Sequence, residues 1–186
     1  MEVTHRIRQA NASDAPAIAD LLRDASTWLA SKGTDQWQYP PRMDRIAAAI
    51  ERGSLFLVEE QPGRLPVATI TMTPDADPDF WAEQDEPQSA LYVGRMSVLR
   101  SRSGRQLGGR MLDWVSRRAA KEEKKWVRLD AWRTNEELHE YYLGQGFKHI
   151  RTVDRSWRQS GALFQRPAGL VLYPSMPLVD ECTDSQ

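Results

Sequence analysis

Apolar residues recur at helical intervals in four segments of the chain. In the first segment they follow one another at spacings of three or four, which places them on one face of a helix. These residues are Ala15, Ile18, Leu21, Leu22, Ala25 and Leu29. Ser13 or Asp14 can cap the start of this helix, and Gly33 suits its end because glycine readily adopts a left-handed conformation. The same criteria predict helices over residues 42–51, 106–123 and 135–143.

Shorter segments are alternating or continuously apolar, as β-strands are. They predict strands over residues 5–9, 55–59, 67–72, 90–99, 127–131, 147–153 and 170–173. A turn around Pro62 and Gly63 joins the second and third of these as an antiparallel hairpin. In the second half of the chain, strands alternate with helices, which indicates parallel pairing. We therefore predict an α/β fold in which a mixed sheet is flanked by helices on both faces.

The predicted elements continue without a linker up to residue 173. A chain of 186 residues suits one domain with a sizeable core, so we expect a single domain over residues 1–173. Residues 174–186 are mostly polar and predict a flexible C-terminal tail. An acidic segment, residues 74–87, contains six carboxylates and no lysine or arginine. Its prolines indicate a loop.

Composition narrows the classes of partner and location. The net charge is −1, which argues against nucleic acid or anionic lipid as the main partner. The only cysteine, Cys182, allows no disulfide within the chain and is typical of a reducing cytoplasm. The N-terminal residues lack the apolar stretch of a signal peptide, and no apolar run reaches the length of a membrane helix. We expect a soluble cytoplasmic protein that does not interact with membranes.

A basic, glycine-bearing segment follows the strand predicted over residues 90–99. Eleven lysines and arginines and four carboxylates lie between Arg100 and Arg133. The free N–H groups and the dipole of a helix start form an anion site, and Gly104, Gly108 and Gly109 would let the backbone approach a ligand. The glycine patterns of nucleoside triphosphatases and dinucleotide-binding folds are absent. On this segment alone, solvated arginines at an ordinary turn are an equally good interpretation.

Two longer strings resemble the GNAT superfamily of N-acetyltransferases. Residues 93–114 read VGRMSVLRSRSGRQLGGRMLDW, and residues 129–147 read LDAWRTNEELHEYYLGQGF. That family has a strand, a turn of the form Gln/Arg-x-x-Gly-x-Gly/Ala and a helix. It then has Asn, a Tyr seven residues later and a Gly-Phe pair, which correspond here to Asn135, Tyr142 and Gly146-Phe147. The turn departs from the pattern, with Ser103 and Gln106 at the Gln/Arg and first glycine positions. The resemblance covers roughly residues 6–153.

The resemblance implies a GNAT-like acyl-CoA N-acyltransferase fold and acetyl-CoA as co-substrate, without a metal. Backbone N–H groups of the turn and helix start would hold the pyrophosphate. These belong to Ser103, Gly104, Arg105, Gln106, Leu107, Gly108 and Gly109, with Arg102 and Arg105 supplying charge that the turn motif lacks. The exposed backbone of Met96, Ser97 and Val98 would pair with the pantetheine arm and polarise the thioester carbonyl. Asn135 would contact the arm.

Within this resemblance, Tyr142 would protonate the departing thiolate. The alternative is that Tyr142 is a core residue of its helix and that the neighbouring Tyr141 faces the coenzyme instead. The base that deprotonates the acceptor is not fixed by the sequence. Asp130 is one candidate, and Glu83, Asp85 or a water relayed through the backbone are others.

The acceptor is predicted to be a primary amine of a small molecule or of a protein. In the family, the first helices and their loop line the acceptor cleft. Here that set, with one residue from a neighbouring strand, is Trp28, Trp37, Tyr39 and Trp132. Aromatic walls suit a cation, and the acidic segment would attract one if it lay at the rim of the cleft. The alternative is that this segment is a solvated loop.

Three further hypotheses remain open at this stage. One is a non-catalytic domain of the same fold that senses acyl-CoA or serves in an assembly. Another is an acetyltransferase acting on charged tRNA, which would require a broad basic face that the chain lacks. By analogy with the family, a homodimer built from the C-terminal strands is also an option.

Overall fold

The computed structural model describes residues 3–182 and contains four helices and eight strands in that range. The helices are α1 (Ala15–Ser31), α2 (Met43–Glu51), α3 (Leu107–Lys121) and α4 (Glu136–Gly144). The strands are β1 (His5–Gln9), β2 (Leu55–Glu60), β3 (Leu65–Thr73), β4 (Ala90–Val98), β5 (Trp126–Trp132), β6 (Lys148–Thr152), β7 (Ser160–Pro167) and β8 (Val179–Asp180). None of the described helices is both long and apolar enough to cross a membrane.

All eight strands form one mixed sheet in the order β6-β7-β5-β4-β3-β2-β1-β8. β4 pairs in parallel with β5, and β1 pairs in parallel with β8, while the other pairs are antiparallel. The pairing of β4 with β5 covers only three residue pairs, from Ala90↔Trp126 to Tyr92↔Arg128. Beyond Tyr92, the two strands separate and leave a gap in the middle of the sheet.

Helices cover both faces of this sheet, as the sequence predicted. β2 is buried on both sides: Leu55 and Leu57 pack in one cluster with residues of α1 and α2. The alternate residues Phe56 and Val58 pack in a second cluster with α3. Successive side chains of a strand point to opposite faces, so a continuously apolar strand such as β2 can hold the two layers of helices together.

The pairing of β3 with β4 contains a β-bulge. Thr71 faces Gly94 and Thr69 faces Ser97, so that Ile70 lies opposite two residues of β4. One of these, Arg95, has a φ of +45°, which is unusual for a residue with a side chain. Bulges bend a strand and re-aim its side chains, and this one lies at the point where β4 leaves β5.

The C-terminal third of the chain differs from the expectation in one strand. Residues 170–173 were predicted as a strand, but the last long strand is β7, at Ser160–Pro167. The backbone N–H groups of Leu172 and Tyr173 donate to the carboxylate of Asp113 on α3, at 2.7 to 3.1 Å. The segment therefore satisfies its donors on a side chain rather than on a neighbouring strand.

Part of the predicted C-terminal tail contacts the rest of the protein. Leu178 is 6% exposed and belongs to the main core cluster. The strand β8 pairs with β1 through Arg6↔Val179 and Ile7↔Asp180. The free edge of β1 offers unpaired backbone groups, which explains how a short polar segment becomes ordered. The predicted tail residues 183–186 lie outside the described residues.

Candidate active site

A cavity of about 970 Å³ lies where β4 and β5 separate. Its walls come from both strands, the start of α3, α4 and the loop between α1 and α2. Asp130, Tyr142 and all four predicted acceptor residues (Trp28, Trp37, Tyr39 and Trp132) line it. So do most of the predicted coenzyme residues, namely Met96, Ser97, Val98, Ser103, Gly104, Gln106, Leu107, Gly108 and Asn135. Arg105 and Gly109 do not contribute to its wall.

The start of α3 presents backbone donors at one end of this cavity. Its N-cap residue, Gln106, makes no side-chain cap, and the first internal bond runs from the N–H of Arg110 to the carbonyl oxygen of Gln106, at 2.9 Å. The N–H groups of Leu107, Gly108 and Gly109 precede this bond and have no acceptor within the helix. Combined with the helix dipole, they form an anion site.

Gln106 itself has a φ of +59°. Only glycine adopts this left-handed conformation without steric penalty. The glycine that is usual at this position in the turn motif therefore has a backbone reason. Here a glutamine occupies this left-handed position.

The arginines of the turn are paired with a carboxylate. Arg102 donates two hydrogen bonds to Glu60, at 2.8 and 3.1 Å, and Arg105 donates a third, at 3.1 Å. Hydrogen bonding to Arg102 holds the pKa of the Glu60 carboxyl below its ordinary value. Glu60 offsets one of these two positive charges, so both the backbone donors of α3 and the remaining arginine charge favour an anion near this end of the cavity.

The gap between β4 and β5 leaves an open backbone edge along β4. The N–H of Leu99 donates to the carbonyl oxygen of Val67, on the β3 side, at 2.8 Å. Successive N–H groups of a strand point to opposite edges, so that of Val98 points away from β3 and toward the gap. Ser97 is turned the other way: its hydroxyl donates to the carbonyl oxygen of Leu21 on α1, at 3.1 Å.

Two tyrosines, rather than one, face the cavity from α4. Tyr142 is 9% exposed, and its ring packs against Phe147 and Phe164, with centroids 5.5 and 5.9 Å away. Tyr141 lies beside the start of α3, where a methyl group added to Gly108 would be 2.3 Å from the tyrosine Oη. Burial raises the pKa of both phenols well above the ordinary value of 10.0, so both are protonated at neutral pH.

Asp130 enters the same cavity from β5. Burial raises the pKa of its carboxyl above the ordinary value of 3.8, while a hydrogen bond from Ser160 and the charge of Arg158 act in the opposite direction. The charge of Asp130 also contributes to the raised pKa of Tyr142. The two groups therefore lie within electrostatic reach of each other, which suits a base and an acid acting on one reacting centre.

The other two carboxylates proposed as bases lie elsewhere. Arg151 binds Asp85 through two hydrogen bonds, at 2.7 and 3.0 Å, and neither Asp85 nor Glu83 lines the cavity. Of the carboxylates in the acidic segment, only Asp77 does, and it pairs with Arg158 at 2.8 Å. Asp79 also contacts Arg158, and Glu86 pairs with Lys125. Four of the six carboxylates therefore have basic partners, and the basis for a cationic acceptor is weaker than the sequence indicated.

The predicted acceptor residues line the cavity from α1, from the loop that follows it and from β5. The face of Trp28 is already occupied: the guanidinium carbon of Arg100 lies 3.8 Å from the ring centroid, and Nζ of Lys32 lies 4.9 Å from it. Trp132 is fixed by a hydrogen bond of 2.9 Å from its Nε1 to the carboxylate of Asp35. Tyr39 is more than half exposed. These rings are therefore held in different ways around one opening.

Several residues of the site escaped sequence reasoning. Asp35 and Gln36, in the loop between α1 and α2, bond to the end of β5 and the start of α4. Arg95, at the bulge, lines the cavity. None of them carries a motif signal. Tyr141, by contrast, was already the alternative to Tyr142 in the sequence analysis, and its hydroxyl occupies the space that Gly108 leaves.

A comparison with known families identifies the chain. The acetyltransferase (GNAT) family model matches residues 16–147, more than two thirds of the sequence. This protein belongs to the GNAT acetyltransferase family. The match includes the turn before α3 and ends at Phe147, the last residue of the second string noted in the sequence.

Individual relatives agree with this assignment. The uncharacterized N-acetyltransferase YesJ of Bacillus subtilis is 28% identical over 141 residues, which cover 74% of this chain and 78% of that protein. A GNAT-family acetyltransferase from Listeria monocytogenes has a similar structure, with a TM-score of 0.73, 24% identity and coverage of 88% of this chain and 94% of that one. The PaiA N-acetyltransferase of Thermoplasma acidophilum, solved in complex with coenzyme A, has a TM-score of 0.67, 13% identity and coverage of 90% and 99%.

Proposed function

We propose that this GNAT protein transfers the acetyl group of acetyl-CoA to a primary amine of a small molecule or of a protein. The observation that carries the proposal is one cavity lined by a helix start, an open strand edge, a buried carboxyl and two phenols. Family membership and the coenzyme A complex of the PaiA relative support acetyl-CoA as the donor.

The residues present fit such a donor along the length of the cavity. The N–H groups at the start of α3 suit a pyrophosphate, because they are unpaired and aligned with the helix dipole. Gly108 lacks a side chain, and the Tyr141 hydroxyl occupies the space that a methyl group would fill there. The free edge of β4 suits an arm that contains amide groups, since it can pair with them as a strand would.

When bound, acetyl-CoA would supply an activated thioester, and the protein's residues would position the acceptor against it. The Val98 N–H can donate to the carbonyl oxygen as negative charge develops on it. Asp130, whose raised pKa makes it a stronger base than an ordinary carboxylate, can accept a proton from the acceptor's ammonium group. The hydroxyl of Tyr142, or that of Tyr141, can donate a proton to the departing thiolate.

The base could instead be a water molecule ordered by the backbone, with Asp130 acting through its charge. Replacement of Asp130 by Asn removes the carboxylate and its charge together, so the two hypotheses differ in the size of the loss: a directly acting base is lost outright, whereas a water molecule held by the backbone stays in place. The Asp130 hypothesis is favoured, since its carboxyl is the one in the cavity whose charge acts on Tyr142.

A thiol-release assay with acetyl-CoA and a panel of amines tests the proposal. Release with at least one amine, together with calorimetric binding of acetyl-CoA, is the expected result. Binding without release from any small amine or lysine-containing peptide would favour the alternative, a non-catalytic acyl-CoA sensor. Absence of both would contradict the proposed function.

A further inference from the structure

Arg95 occupies an unusual position at the acceptor end of the cavity. It lies in the bulge of β4, with a φ of +45°, and its half-buried side chain lines the main cavity. The same side chain also lines a smaller pocket of about 90 Å³ between α1, α2 and β4. A strained backbone conformation at a ligand cavity persists only where the surrounding structure enforces it. The β3–β4 register therefore holds this guanidinium at the junction of the two spaces.

The charge of Arg95 is uncompensated within the described chain. No carboxylate between residues 3 and 182 lies within ion-pairing distance of it, and no hydrogen bond satisfies its guanidinium. The positively charged side chains of Arg45 and Arg52 are close enough to repel it. Asp44 is close enough to act on Arg95, but its carboxylate is bound by Arg42 at 2.9 and 3.1 Å.

Three other cations around the cavity have carboxylate partners, while Arg100, which makes no ion pair in the described part of the chain, stacks on Trp28. Arg102 is bound by Glu60, Arg158 by Asp77 and Lys32 by Glu137. Burial lowers the pKa of Arg95, and the positive charge of Arg45 lowers it further. A partly buried cation without a counter-charge costs free energy, and an anion from outside the chain would remove that cost.

The small pocket has the size and the donors for such an anion. Its lining includes Arg42, Arg45 and Arg95, the phenol of Tyr39 and no carboxylate. The side chain of Arg45 is exposed and, among the described residues, makes no ion pair. A volume of about 90 Å³ accommodates a small oxyanion. Paired arginines recognise carboxylates through several charge-assisted hydrogen bonds.

We propose that the acceptor carries a carboxylate as well as its primary amine, and that Arg95 and Arg45 bind this carboxylate while the amine faces Asp130. The inference rests on the proposed acetyl transfer and names its substrate class: a small amino acid or a related amino-carboxylic compound. It replaces the cationic acceptor suggested by the acidic segment, four of whose six carboxylates are paired with arginine or lysine side chains. A phosphate monoester offers the same oxyanion chemistry, and the experiment distinguishes the two sources.

The test compares matched acceptors in the thiol-release assay. Each amino acid in the panel is paired with its carboxamide, and an aminoalkyl phosphate is included. We expect the carboxylate to exceed the carboxamide in kcat/KM by about 10- to 100-fold, since a site with unpaired donors rejects analogues that lack the acceptor group. Equal kcat/KM values for acid and amide would overturn the proposal, and a higher value for the phosphate alone would assign the subsite to that group instead.

Variants locate the effect on Arg95. Arg95→Gln should reduce the preference to less than about threefold while leaving the KM for acetyl-CoA unchanged, and Arg45→Gln should reduce it partly. Arg52→Gln removes a nearby charge that lines neither pocket and should keep the preference. A full preference in the Arg95 variant would overturn the assignment.

A binding measurement separates failure of this inference from failure of the proposed function. Calorimetry of the N-acetylated amino acids with the wild-type protein and with Arg95→Gln needs no turnover. Carboxylate binding that is lost in the variant would support the subsite even if no acceptor were acetylated. Turnover without any dependence on the carboxylate would leave the acetyltransferase intact and contradict the subsite.

Discussion

The side-chain amide of Asn135 donates a hydrogen bond to the amide oxygen of Gln36, at 2.7 Å. The carbonyl oxygen of the same Asn135 side chain accepts from the N–H of Leu138 and caps α4, at 3.0 Å. One residue therefore joins the loop between α1 and α2 to the helix that carries both tyrosines. The predicted contact of Asn135 with the coenzyme arm stays a prediction, and the structure adds this second role.

Replacement of Asp35 by Ala should loosen this loop. The substitution removes the acceptor of Trp132 Nε1 and of the Thr134 hydroxyl, at 2.9 and 2.7 Å. We expect the KM for the amine to rise by about 3- to 10-fold, because the acceptor wall loses its orientation, with little change in the KM for acetyl-CoA. The matched control is Asp20→Ala, because Asp20 is an exposed carboxylate of α1 that pairs with Arg23. Equal effects of both variants would contradict a role of Asp35 in orienting the acceptor wall.

Replacement of Tyr142 by Phe should lower kcat while the KM for acetyl-CoA stays close to that of the wild type. Loss of a positioned acid typically lowers the rate by about 10²- to 10⁴-fold, and the ring packing against Phe147 and Phe164 is retained. Tyr141→Phe is the companion variant. If it lowers kcat more than Tyr142→Phe does, the acid is Tyr141. Unchanged kcat in both single variants and in the double variant would rule out a phenolic acid.

Replacement of Asp130 by Asn should have opposite effects on activity and stability. If Asp130 is the base, kcat/KM falls by about 10²-fold or more, and the acid limb of the pH profile disappears. Burial raises the pKa of the folded carboxyl above 3.8, so its ionisation opposes folding. The contribution of Asp130 to stability is fully present below the pKa that its carboxyl has in the unfolded chain. It is lost as pH rises through the pKa of this carboxyl in the folded protein.

Denaturation of the Asp130 variant at several pH values checks that sign. Asp130→Asn should be more stable than the wild type at pH 7, and the difference should vanish below about pH 3, where the carboxyl is protonated in both the folded and the unfolded protein. A variant less stable than the wild type at pH 7 would contradict the raised pKa. Ser160→Ala is a further comparison. It removes a hydrogen bond that lowers the pKa of Asp130, so the pKa of this carboxyl should rise further in that variant.

Replacement of Gly108 by Ala should impair acetyl-CoA binding. The added methyl group would lie 2.3 Å from Oη and 3.4 Å from Cζ of Tyr141, so the tyrosine ring or α3 must shift. We expect the KM for acetyl-CoA to rise about 10-fold and the stability to fall by about 1–3 kcal/mol. Gly63→Ala meets nothing within 4 Å and should leave both quantities unchanged. A Gly108 variant that behaves like the control would contradict the close packing of Tyr141 against the start of α3.

Replacement of Leu178 by Ala tests the docking of the C-terminal segment. Leu178 is 6% exposed, whereas its neighbour Val179 is 47% exposed. We expect Leu178→Ala to lower the stability by about 2 kcal/mol, which corresponds to about 4–8 °C in Tm for a chain of this length. Val179→Ala should stay within about 0.5 kcal/mol of the wild type. A thermal denaturation series measures both, and equal values would indicate a loose segment.

Local periodicity was sufficient to predict most elements of this fold. The four helices and the first six strands were predicted close to their observed positions, because their apolar faces are visible within short windows of sequence. Strand β7 was missed, since Arg166 interrupts its apolar run. That side chain is completely buried and depends on Asp113 and Ser116 of α3, which are distant in sequence.

The site divides in the same way. Asp130, Tyr142 and the start of α3 follow from local spacing and from the family resemblance, and the structure brings them to one cavity. Arg95 was not found, because its exposure to the cavity depends on the register between β3 and β4. Its lack of a counter-charge depends on the pairing of Asp44 with Arg42. No single segment of the sequence contains that information.

The short pairing of β4 with β5 also affects the rate of backbone amide hydrogen exchange. An interior strand is normally among the most protected segments of a protein, because opening it requires sub-global unfolding. Val98 belongs to an interior strand of this sheet, yet its N–H faces the gap and should exchange at a rate typical of an edge strand. A bound molecule that pairs with this edge would slow that exchange, so a single amide in the centre of the sheet can report occupancy of the cavity.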